Sequence, residues 1–377
     1  MKVLVFPRNT ADPYQNLLYG NMPREEITVA YFPTPTWSQT VNVLLFPAVL
    51  AIYRLRGFRI LHIHWTYLFA PVWVSVVPGG RRLMQFWFQC CIAVARVLGF
   101  SIVWTAHNVL PLDRVFADDN AARRLLVKSA AAVIVHTKSH VQAIESFGET
   151  TVKIIPFGHY GDHYPHDIER AEARRLLGLA ASGRVIAFIG SVKPYKGIDS
   201  LFEAVRHLKP DLSLRLIIAG SCRSSFLRHR IEHQANELGP RVSTYLEYIP
   251  DEEIQIYFAA ADAVVFPFQQ ITNSGSLLLA LNFGVPVIIP CLSELDEIPD
   301  TVAIRYEPEV CSALARALTA VSQMDDATLA SMATHAKAYR TGLSWERSAR
   351  ETTALFRSVL ACRRDRRAAS TGTSSPR

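Results

Sequence analysis

The chain has 377 residues, of which half are hydrophobic and 19% are charged, and its formal net charge is +7. This length is more than one core usually holds and predicts two domains of ordinary size, while the composition excludes a disordered chain. The sequence has no uninterrupted run of about 18 apolar residues that could cross a bilayer, so we expect a soluble or peripheral protein.

The cysteines are scattered along the chain and form neither a CxxC pair nor a framework spacing. They are Cys90, Cys91, Cys222, Cys291, Cys311 and Cys362. Such usage is typical of reduced, buried thiols. The sequence therefore predicts a cytoplasmic protein without a bound metal or disulfides.

Positive charge is concentrated in the first 165 residues, which carry 15 basic and 9 acidic side chains. Arg54, Arg56 and Arg59 follow an apolar run, and Arg81 and Arg82 precede a second one. Cations that flank apolar, aromatic helices are typical of an interfacial surface, so an anionic membrane is favoured over nucleic acid as the partner. Core helices with solvated ends would give the same pattern.

Short β-branched runs alternate with helical patterns, which predicts parallel sheets with crossover helices. Six strands are predicted in the first half, at 3–6, 27–32, 60–65, 101–107, 131–136 and 151–158. Six more follow the turn-rich segment 158–167, at 185–190, 213–220, 244–249, 263–268, 285–290 and 302–306. The predicted fold class is α/β, with two Rossmann-like doubly wound domains facing a cleft that binds ligands.

The predicted domain boundaries follow from this alternation. The N-terminal domain spans 1–162 and the C-terminal domain spans 163–340. A helix within 341–362 begins at a good N-cap, Ser344, and its amphipathic spacing makes it a candidate to pack back on the first domain. Residues 363–377 are polar and predicted to be disordered.

The segment AFIGSVKPYKG, residues 187–197, places a strand end at Gly190 and a helix start near Gly197. Glycines there allow close backbone approach, and Lys196 can neutralise a pyrophosphate that leaves a sugar. Lys193 is the second candidate for that role. An ordinary surface loop can have the same composition, so Lys193 and Lys196 could also be surface lysines without a binding role.

A second motif, QITNSGSLLLALNFG, gathers hydroxyls and backbone N–H groups at the positive end of an apolar helix. Its polar residues are Thr272, Asn273, Ser274, Gly275 and Ser276. Such a helix start binds anions, although Asn273 or Ser274 could merely cap the helix. Two anion sites in one domain predict a site for a nucleotide sugar.

These motifs resemble those of GT-B glycosyltransferases. Residues 190–197 and 248–288 resemble the glycolipid β-mannosyltransferases of bacterial exopolysaccharide assembly, and segments 12–19, 61–65, 104–113 and 156–160 match the type in the first domain. The resemblance implies a GT-B fold with an acceptor-binding first domain and a nucleotide-sugar-binding second domain. It implies transfer of mannose from GDP-mannose to a lipid-linked oligosaccharide, without a metal or other cofactor, by a peripheral protein on the inner face of the cell membrane.

The resemblance also implies a donor site built from both motifs, a base pocket near 248–250 and a histidine of the linker. Its residues are Gly190, Ser191, Lys193, Lys196, Gly197, Tyr248, Ile249, Asn273, Ser274, Gly275, Ser276 and His159. Ile271 and Leu279 stand where the large retaining group of this fold carries two glutamates, which favours inversion. Glu294 and Glu297 could replace the missing ribose contact or could be exposed carboxylates.

Inversion by direct displacement requires a base that takes the proton of the acceptor hydroxyl. Asp113 and His107 are the candidates, and Lys196 completes the predicted catalytic set. His107 could equally be a structural histidine. The predicted acceptor-binding residues are Asp12, Tyr14, Asn16, His107 and Asn108.

His62 and His64 alternate with apolar residues in LHIHW, so both are expected on one side of a buried strand, in a packing role. No third ligand with suitable spacing accompanies them, which argues against a metal site. Three alternatives to a mannosyltransferase stay open: a glycosyltransferase that uses a UDP-sugar, a nucleotide-sugar epimerase, and a non-catalytic partner subunit that binds a nucleotide sugar.

Overall fold

The computed structural model describes residues 1–10, 12–109, 114–160, 163–269, 271, 274–310 and 312–371. The chain divides into two compact units. One consists of Met1–Gly158 and Ser344–Arg377, and the other is His159–Leu343. The divisions fall near residues 162 and 340, where the sequence predicts the domain boundaries.

The first unit contains a parallel six-stranded sheet in the order β2-β1-β3-β4-β5-β6. Its strands are β1 (Lys2–Phe6), β2 (Thr28–Tyr31), β3 (Ile60–Ile63), β4 (Ser101–Thr105), β5 (Ala130–Val135) and β6 (Val152–Ile154). Val3 pairs with Ile60, and His62 pairs with Val103. Strands β3 and β4 are buried along their whole length, because helices cover both faces of such a sheet.

The helices of this part of the chain are α1 (Tyr14–Gly20), α2 (Gln39–Leu44), α3 (Phe46–Leu55), α4 (Gly80–Val97), α5 (Asp119–Ser129) and α6 (Ser139–Glu145). Helices α3, α4 and α5 pack on one face of the sheet, around Phe46, Phe88 and Trp104. Helix α1 lies on the other face, where Tyr14 and Leu18 are buried.

The second unit contains another parallel six-stranded sheet, in the order β12-β11-β10-β7-β8-β9. Its strands are β7 (Arg184–Ile189), β8 (Leu214–Ala219), β9 (Val242–Tyr245), β10 (Ala263–Val265), β11 (Val287–Pro290) and β12 (Ala303–Tyr306). Its helices are α7 (Arg170–Leu176), α8 (Ile198–Arg206), α9 (Ser225–Glu237), α10 (Ile254–Ala260), α11 (Gly275–Asn282), α12 (Ala313–Gln323) and α13 (Asp326–Thr341). The strand order reverses between β7 and β10, which is where doubly wound sheets bind ligands.

A buried ion cluster joins β7 and β10 at their amino ends. Asp262, just before β10, accepts hydrogen bonds from Arg174 Nη2 at 2.8 Å, from Arg170 Nη2 at 2.5 Å and from the N–H of Val185 at 2.7 Å. The side chains of Asp262 and Arg174 are 1% and 2% exposed. Removal of Asp262 would leave Arg174 as an uncompensated buried charge. The hydrogen bond from Val185 to Asp262 joins the two strands that form the switch point.

Helix α14 (Trp345–Thr371) returns to the first unit, where Phe356 and Val359 pack in the same cluster as Val3. Ser344 caps it by accepting the N–H of Arg347 at 3.2 Å. A Cβ on Gly158 would lie 2.3 Å from Trp345 Cγ, so the helix start packs directly on the backbone. The segment predicted to be disordered begins at residue 363, whereas the helix continues to Thr371, because alanine and arginine are strong helix formers.

The prediction of buried thiols is wrong for Cys291 and Cys362, which are exposed; Cys91 and Cys222 are buried. Cys291 follows the end of β11, and Cys362 lies on α14 beyond its packed turns. Cys311 is outside the described residues. Over the described part of the chain, no helix has the length and apolar character needed to span a membrane.

Candidate functional site

The carboxyl end of β7 and the start of α11 meet at the switch point of the second sheet. Gly190 follows β7 with a φ of 138°, and a Cβ on it would lie 2.6 Å from Ser276 Oγ and 3.4 Å from Lys196 Nζ. The structure therefore brings together Gly190 and Lys196 of the first sequence motif and Ser276 of the second. We call these three residues the anion cradle.

Close backbone packing around the anion cradle requires two further glycines. Gly197, which precedes α8, has a φ of 74°, and a Cβ on it would lie 1.7 Å from the carbonyl oxygen of Pro267. Gly220 follows β8, where a Cβ would lie 2.2 Å from the carbonyl oxygen of Gly190. Any larger residue would separate the loops that follow β7, β8 and β10.

Helix α11 begins with a side-chain cap. Ser274 has an extended backbone, and its Oγ accepts the N–H of Leu277 at 3.1 Å, so this hydroxyl has the capping role considered for it from the sequence. The first N–H groups of a helix have no intrahelical acceptor, which leaves those of Gly275 and Ser276 at the positive end of α11. Thr272 and Asn273 lie outside the described residues.

Lys196 ends a short 3₁₀ turn, Pro194–Lys196, and is half-buried, with its Nζ 5.9 Å from the centre of the Phe188 ring. Burial, and then the charge of Lys193, lower the pKa of Lys196 to about 8. No ion pair of either lysine occurs within the described ranges. A lysine whose charge is disfavoured by burial gains most when an anion binds beside it.

The other predicted donor residues lie farther from the anion cradle or in the solvent. Ser191 is exposed, and Tyr248 and Ile249 follow β9, two strands from β7 in the sheet, with Tyr248 72% exposed. His159 is half-buried, and its backbone N–H donates to Leu343 O at 3.0 Å. Glu294, after β11, accepts a hydrogen bond from Ser293.

Ile271 and Leu279 are both buried, with 9% and 7% exposure. Apolar packing therefore occupies the two positions where the retaining enzymes of this fold carry glutamates.

In the first unit, buried histidines follow three successive strands of the sheet. His64, His107 and His136 lie just after β3, β4 and β5, respectively, and each is less than 10% exposed. Tyr14, at the start of α1, contacts all three with its ring, at centroid distances of 5.8, 4.6 and 5.5 Å. His107 also stacks on Trp65 at 4.3 Å.

A continuous set of hydrogen bonds links His62, His64 and His107, and we call it the buried hydrogen-bond network. The hydroxyl of Tyr19 lies 2.6 Å from His62 Nδ1 and 2.7 Å from His64 Nε2. His62 Nε2 lies 2.7 Å from Thr105 Oγ1, and His64 Nδ1 lies 3.0 Å from His107 Nε2. The sequence placed His62 and His64 on one side of a strand in a packing role, but it gave no sign that Tyr19 joins them.

Burial makes these imidazoles neutral. It lowers the pKa of His62 to about 3 and that of His136 to about 4, and it lowers the pKa values of His64 and His107 well below their usual range. Neighbouring histidines lower the pKa values of His64 and His107 further. A neutral imidazole has one N–H donor and one acceptor nitrogen, so His107 can accept a hydrogen bond at physiological pH.

The remaining predicted acceptor residues differ in their surroundings. Asp12 Oδ1 accepts the N–H of Tyr14 at 2.9 Å, and burial raises the pKa values of Asp12 and Tyr14. Asn16 is exposed on α1, and Asn108 is half-buried. Asp113 lies outside the described residues.

Sequence reasoning did not select His136 for the site, although its place after a strand of the alternating pattern was a usable signal. Its Nδ1 donates to the carbonyl oxygen of Ile155 at 2.8 Å, which fixes the neutral ring as the Nδ1–H tautomer. Within the described ranges, no three His, Cys, Asp or Glu side chains are arranged to hold a metal ion.

Comparison with known proteins finds a family match within the second unit. Residues 183–323, which contain the anion cradle, match the family model described as "Glycosyl transferases group 1". This part of the chain is a group 1 glycosyl transferase domain. The resemblance to glycosyltransferases predicted from the sequence is thereby confirmed.

Two curated relatives extend the similarity beyond that domain. The chain is 27% identical over 241 residues to the GDP-mannose:glycolipid 4-beta-D-mannosyltransferase of Xanthomonas campestris pv. campestris, which covers 63% of this chain and 62% of that protein. It is 29% identical over 247 residues to the D-inositol 3-phosphate glycosyltransferase of Corynebacterium urealyticum, covering 62% of this chain and 58% of the relative. The chain thus matches less than two thirds of the length of either relative.

A solved structure shows the same fold over nearly the whole chain. Sucrose-phosphate synthase of Thermosynechococcus elongatus superposes with a TM-score of 0.74 at 18% identity, over 96% of this chain and 99% of that one. At this identity the likeness shows the fold alone. The predicted α/β, GT-B fold of two Rossmann-like domains is confirmed.

The lowered pKa values of the buried histidines predict a loss of stability in mild acid. The unfolded chain takes up protons near pH 6.5, whereas native His62 and His136 do so only near pH 3 and 4. Stability is therefore fully present above about pH 6.5 and falls below it, by up to about 1.4 kcal/mol per pH unit for each histidine. Urea unfolding at pH 7.5, 6.0 and 5.0 measures this change of the free energy of unfolding with pH, which we call the pH slope.

Two matched variants test whether the buried histidines cause the pH slope. His136→Gln should reduce it, and His335→Gln, at an exposed position of α13, should leave it unchanged. Equal slopes in wild type and His136→Gln would contradict the assignment.

Proposed function

We propose that this protein is an inverting hexosyltransferase that moves mannose from GDP-mannose onto a lipid-linked oligosaccharide, in exopolysaccharide or cell-surface glycan synthesis. The observation that carries the proposal is the convergence of Gly190, Lys196 and Ser276 at the switch point of a group 1 glycosyl transferase domain. Similarity to GDP-mannose:glycolipid 4-beta-D-mannosyltransferase supports this choice of donor and acceptor.

In this proposal the second unit stabilises the leaving nucleoside diphosphate. Negative charge develops on the pyrophosphate as the sugar bond breaks, and the Lys196 ammonium and the positive end of α11 offset it. Gly190 lets the phosphate approach the backbone without a side chain in the way. These groups supply the positive charge, so we propose that the reaction needs no metal or other cofactor.

The first unit would bind the acceptor and remove its proton. Inversion requires a base that takes the proton of the attacking hydroxyl. Asp113 and His107 are the candidates from the sequence. His107 is neutral in its buried setting, so it can accept a hydrogen bond from a sugar hydroxyl. The same lowered pKa makes it a weak base. Ile271 and Leu279, where retaining enzymes carry glutamates, support inversion over retention.

A UDP-sugar donor is the second candidate. Tyr248 and Ile249, in the predicted base pocket, have an exposed phenol and an aliphatic side chain. Neither side chain distinguishes guanine from uracil by its hydrogen-bonding groups. A non-catalytic partner subunit is less favoured, because Lys196 and the start of α11 are both in place.

We propose further that the protein binds the inner face of the membrane from the cytoplasm through its first unit. Among the described residues, twelve of the sixteen exposed large hydrophobic side chains lie between residues 37 and 97, including Leu55, Leu83 and Phe86. Arg56 and Arg82 are exposed beside them. Apolar side chains with adjacent cations suit an anionic lipid surface.

Replacement of Lys196 tests the proposed reaction. Lys196→Ala should lower the transfer rate by roughly 10²- to 10³-fold, the usual cost of losing one group that stabilises the transition state. Lys209→Ala, an exposed lysine of the same unit, is the control and should transfer normally. The assay follows labelled sugar from GDP-mannose or UDP-glucose into the lipid fraction of bacterial membranes.

The outcomes of this assay separate the candidates. Selective use of GDP-mannose supports the proposal, and selective use of UDP-glucose favours the second candidate. Unchanged turnover of Lys196→Ala would refute the role of the anion cradle.

Membrane binding has its own test, co-sedimentation with vesicles. Wild type should bind phosphatidylglycerol vesicles more tightly than phosphatidylcholine vesicles, because cations attract the anionic surface. Phe86→Glu, at a side chain 61% exposed in the first unit, should weaken binding, whereas Phe226→Glu, 75% exposed in the second unit, should not. Equal binding by both variants would contradict the assignment of this surface.

A further inference from the structure

The buried hydrogen-bond network has a property that follows from counting protons. Tyr19 has one hydroxyl proton but contacts two ring nitrogens, His62 Nδ1 at 2.6 Å and His64 Nε2 at 2.7 Å. At these distances each contact needs a hydrogen between the two heavy atoms. Tyr19 therefore donates to one histidine and accepts from the other.

Two arrangements satisfy every contact of the network. In the first, Tyr19 donates to His62, His62 Nε2–H donates to Thr105, His64 Nε2–H donates to Tyr19, and His107 Nε2–H donates to His64. In the second, each of these hydrogen bonds runs in the opposite direction. Because a neutral imidazole has a single N–H, all three histidines are Nε2–H tautomers in the first arrangement and Nδ1–H tautomers in the second.

We propose that Tyr19 is a positioning residue that couples the tautomers of His62, His64 and His107, so that the three rings share one protonation pattern. The coupling reaches from Thr105, which is 0% exposed, to His107 at the carboxyl end of β4. Tyr19 has no direct contact with the substrate in this role and acts only through His64.

The first arrangement is the one that serves the acceptor hydroxyl. With its proton on Nε2, His107 has a lone pair on Nδ1, which can accept a hydrogen bond or a proton. In the second arrangement Nδ1 has the proton and can only donate. This consequence rests on the proposed function, since it assumes that His107 meets the acceptor, whereas the coupling itself does not.

Ring nitrogen chemical shifts of the ¹⁵N-labelled full-length protein measure the tautomers directly. In wild type we expect His62, His64 and His107 to be the same tautomer, with Nε2 protonated. A mixed set among the three histidines would overturn the coupling. A uniform Nδ1–H set would leave the coupling standing and overturn the assignment of His107 Nδ1 as the acceptor of the sugar hydroxyl proton. This measurement needs no variant and no activity.

Variants then test the coupling. Tyr19→Phe removes the shared hydroxyl, so His107 should become a mixture of tautomers. Because part of the population keeps Nε2 protonated, kcat should fall about tenfold, less than the roughly 10²- to 10⁴-fold that proton transfer contributes, with little change in the KM for the donor. Tyr31→Phe is the matched control, because this half-buried tyrosine contacts Tyr19 only by its ring, at 6.0 Å. It should leave the shifts and kcat unchanged.

Thr105 gives a second variant if Tyr19→Phe folds poorly. Thr105→Val should shift the tautomers of the three histidines, and Thr105→Ser, which keeps the hydroxyl, should restore them. Unchanged His107 shifts in both Tyr19→Phe and Thr105→Val would overturn the coupling. A coupled network in a wild-type protein without transfer activity would instead refute the proposed function and leave the coupling standing.

Discussion

The close approach of backbone segments at the carboxyl end of β7 is the constraint on which the candidate donor site depends. Gly190, Gly197 and Gly220 each have a positive φ, and a Cβ on any of them would collide with a neighbouring loop or with Ser276. This packing brings Lys196 to the start of α11. At the other end of the same strands, Asp262, just before β10, accepts the backbone N–H of Val185 in β7, so the two strands are also joined at their amino ends.

The two units use burial in different ways. In the second unit, partial burial lowers the pKa of Lys196 to about 8, and a bound anion would raise this pKa again by stabilising the ammonium. In the first unit, complete burial keeps a row of histidines neutral. A cationic site suits a nucleoside diphosphate, whereas neutral imidazoles, each with one donor and one acceptor nitrogen, suit sugar hydroxyls.

The fold was predictable because its signals are local. Alternating strand and helix patterns identified all twelve strands, and the glycine and serine motifs identified Gly190, Lys196 and Ser276. The hydrogen bonds between Tyr19 and the histidines could not be predicted from local sequence. Tyr19 and His64 are 45 residues apart and meet only through the packing of α1 on β3. The length of α14 was also mispredicted, because a polar composition indicates solvent exposure but does not exclude a helix.

Binding of GDP to Gly190→Ala tests the central claim most directly. A Cβ at this position would press on Ser276 and Lys196, so calorimetric titration should show an affinity at least about tenfold weaker than that of wild type, which is about 1.4 kcal/mol. Gly178→Ala is the control, because this glycine also has a positive φ but nothing lies within 4 Å of its Cβ position. Equal affinity of Gly190→Ala and wild type would contradict the account.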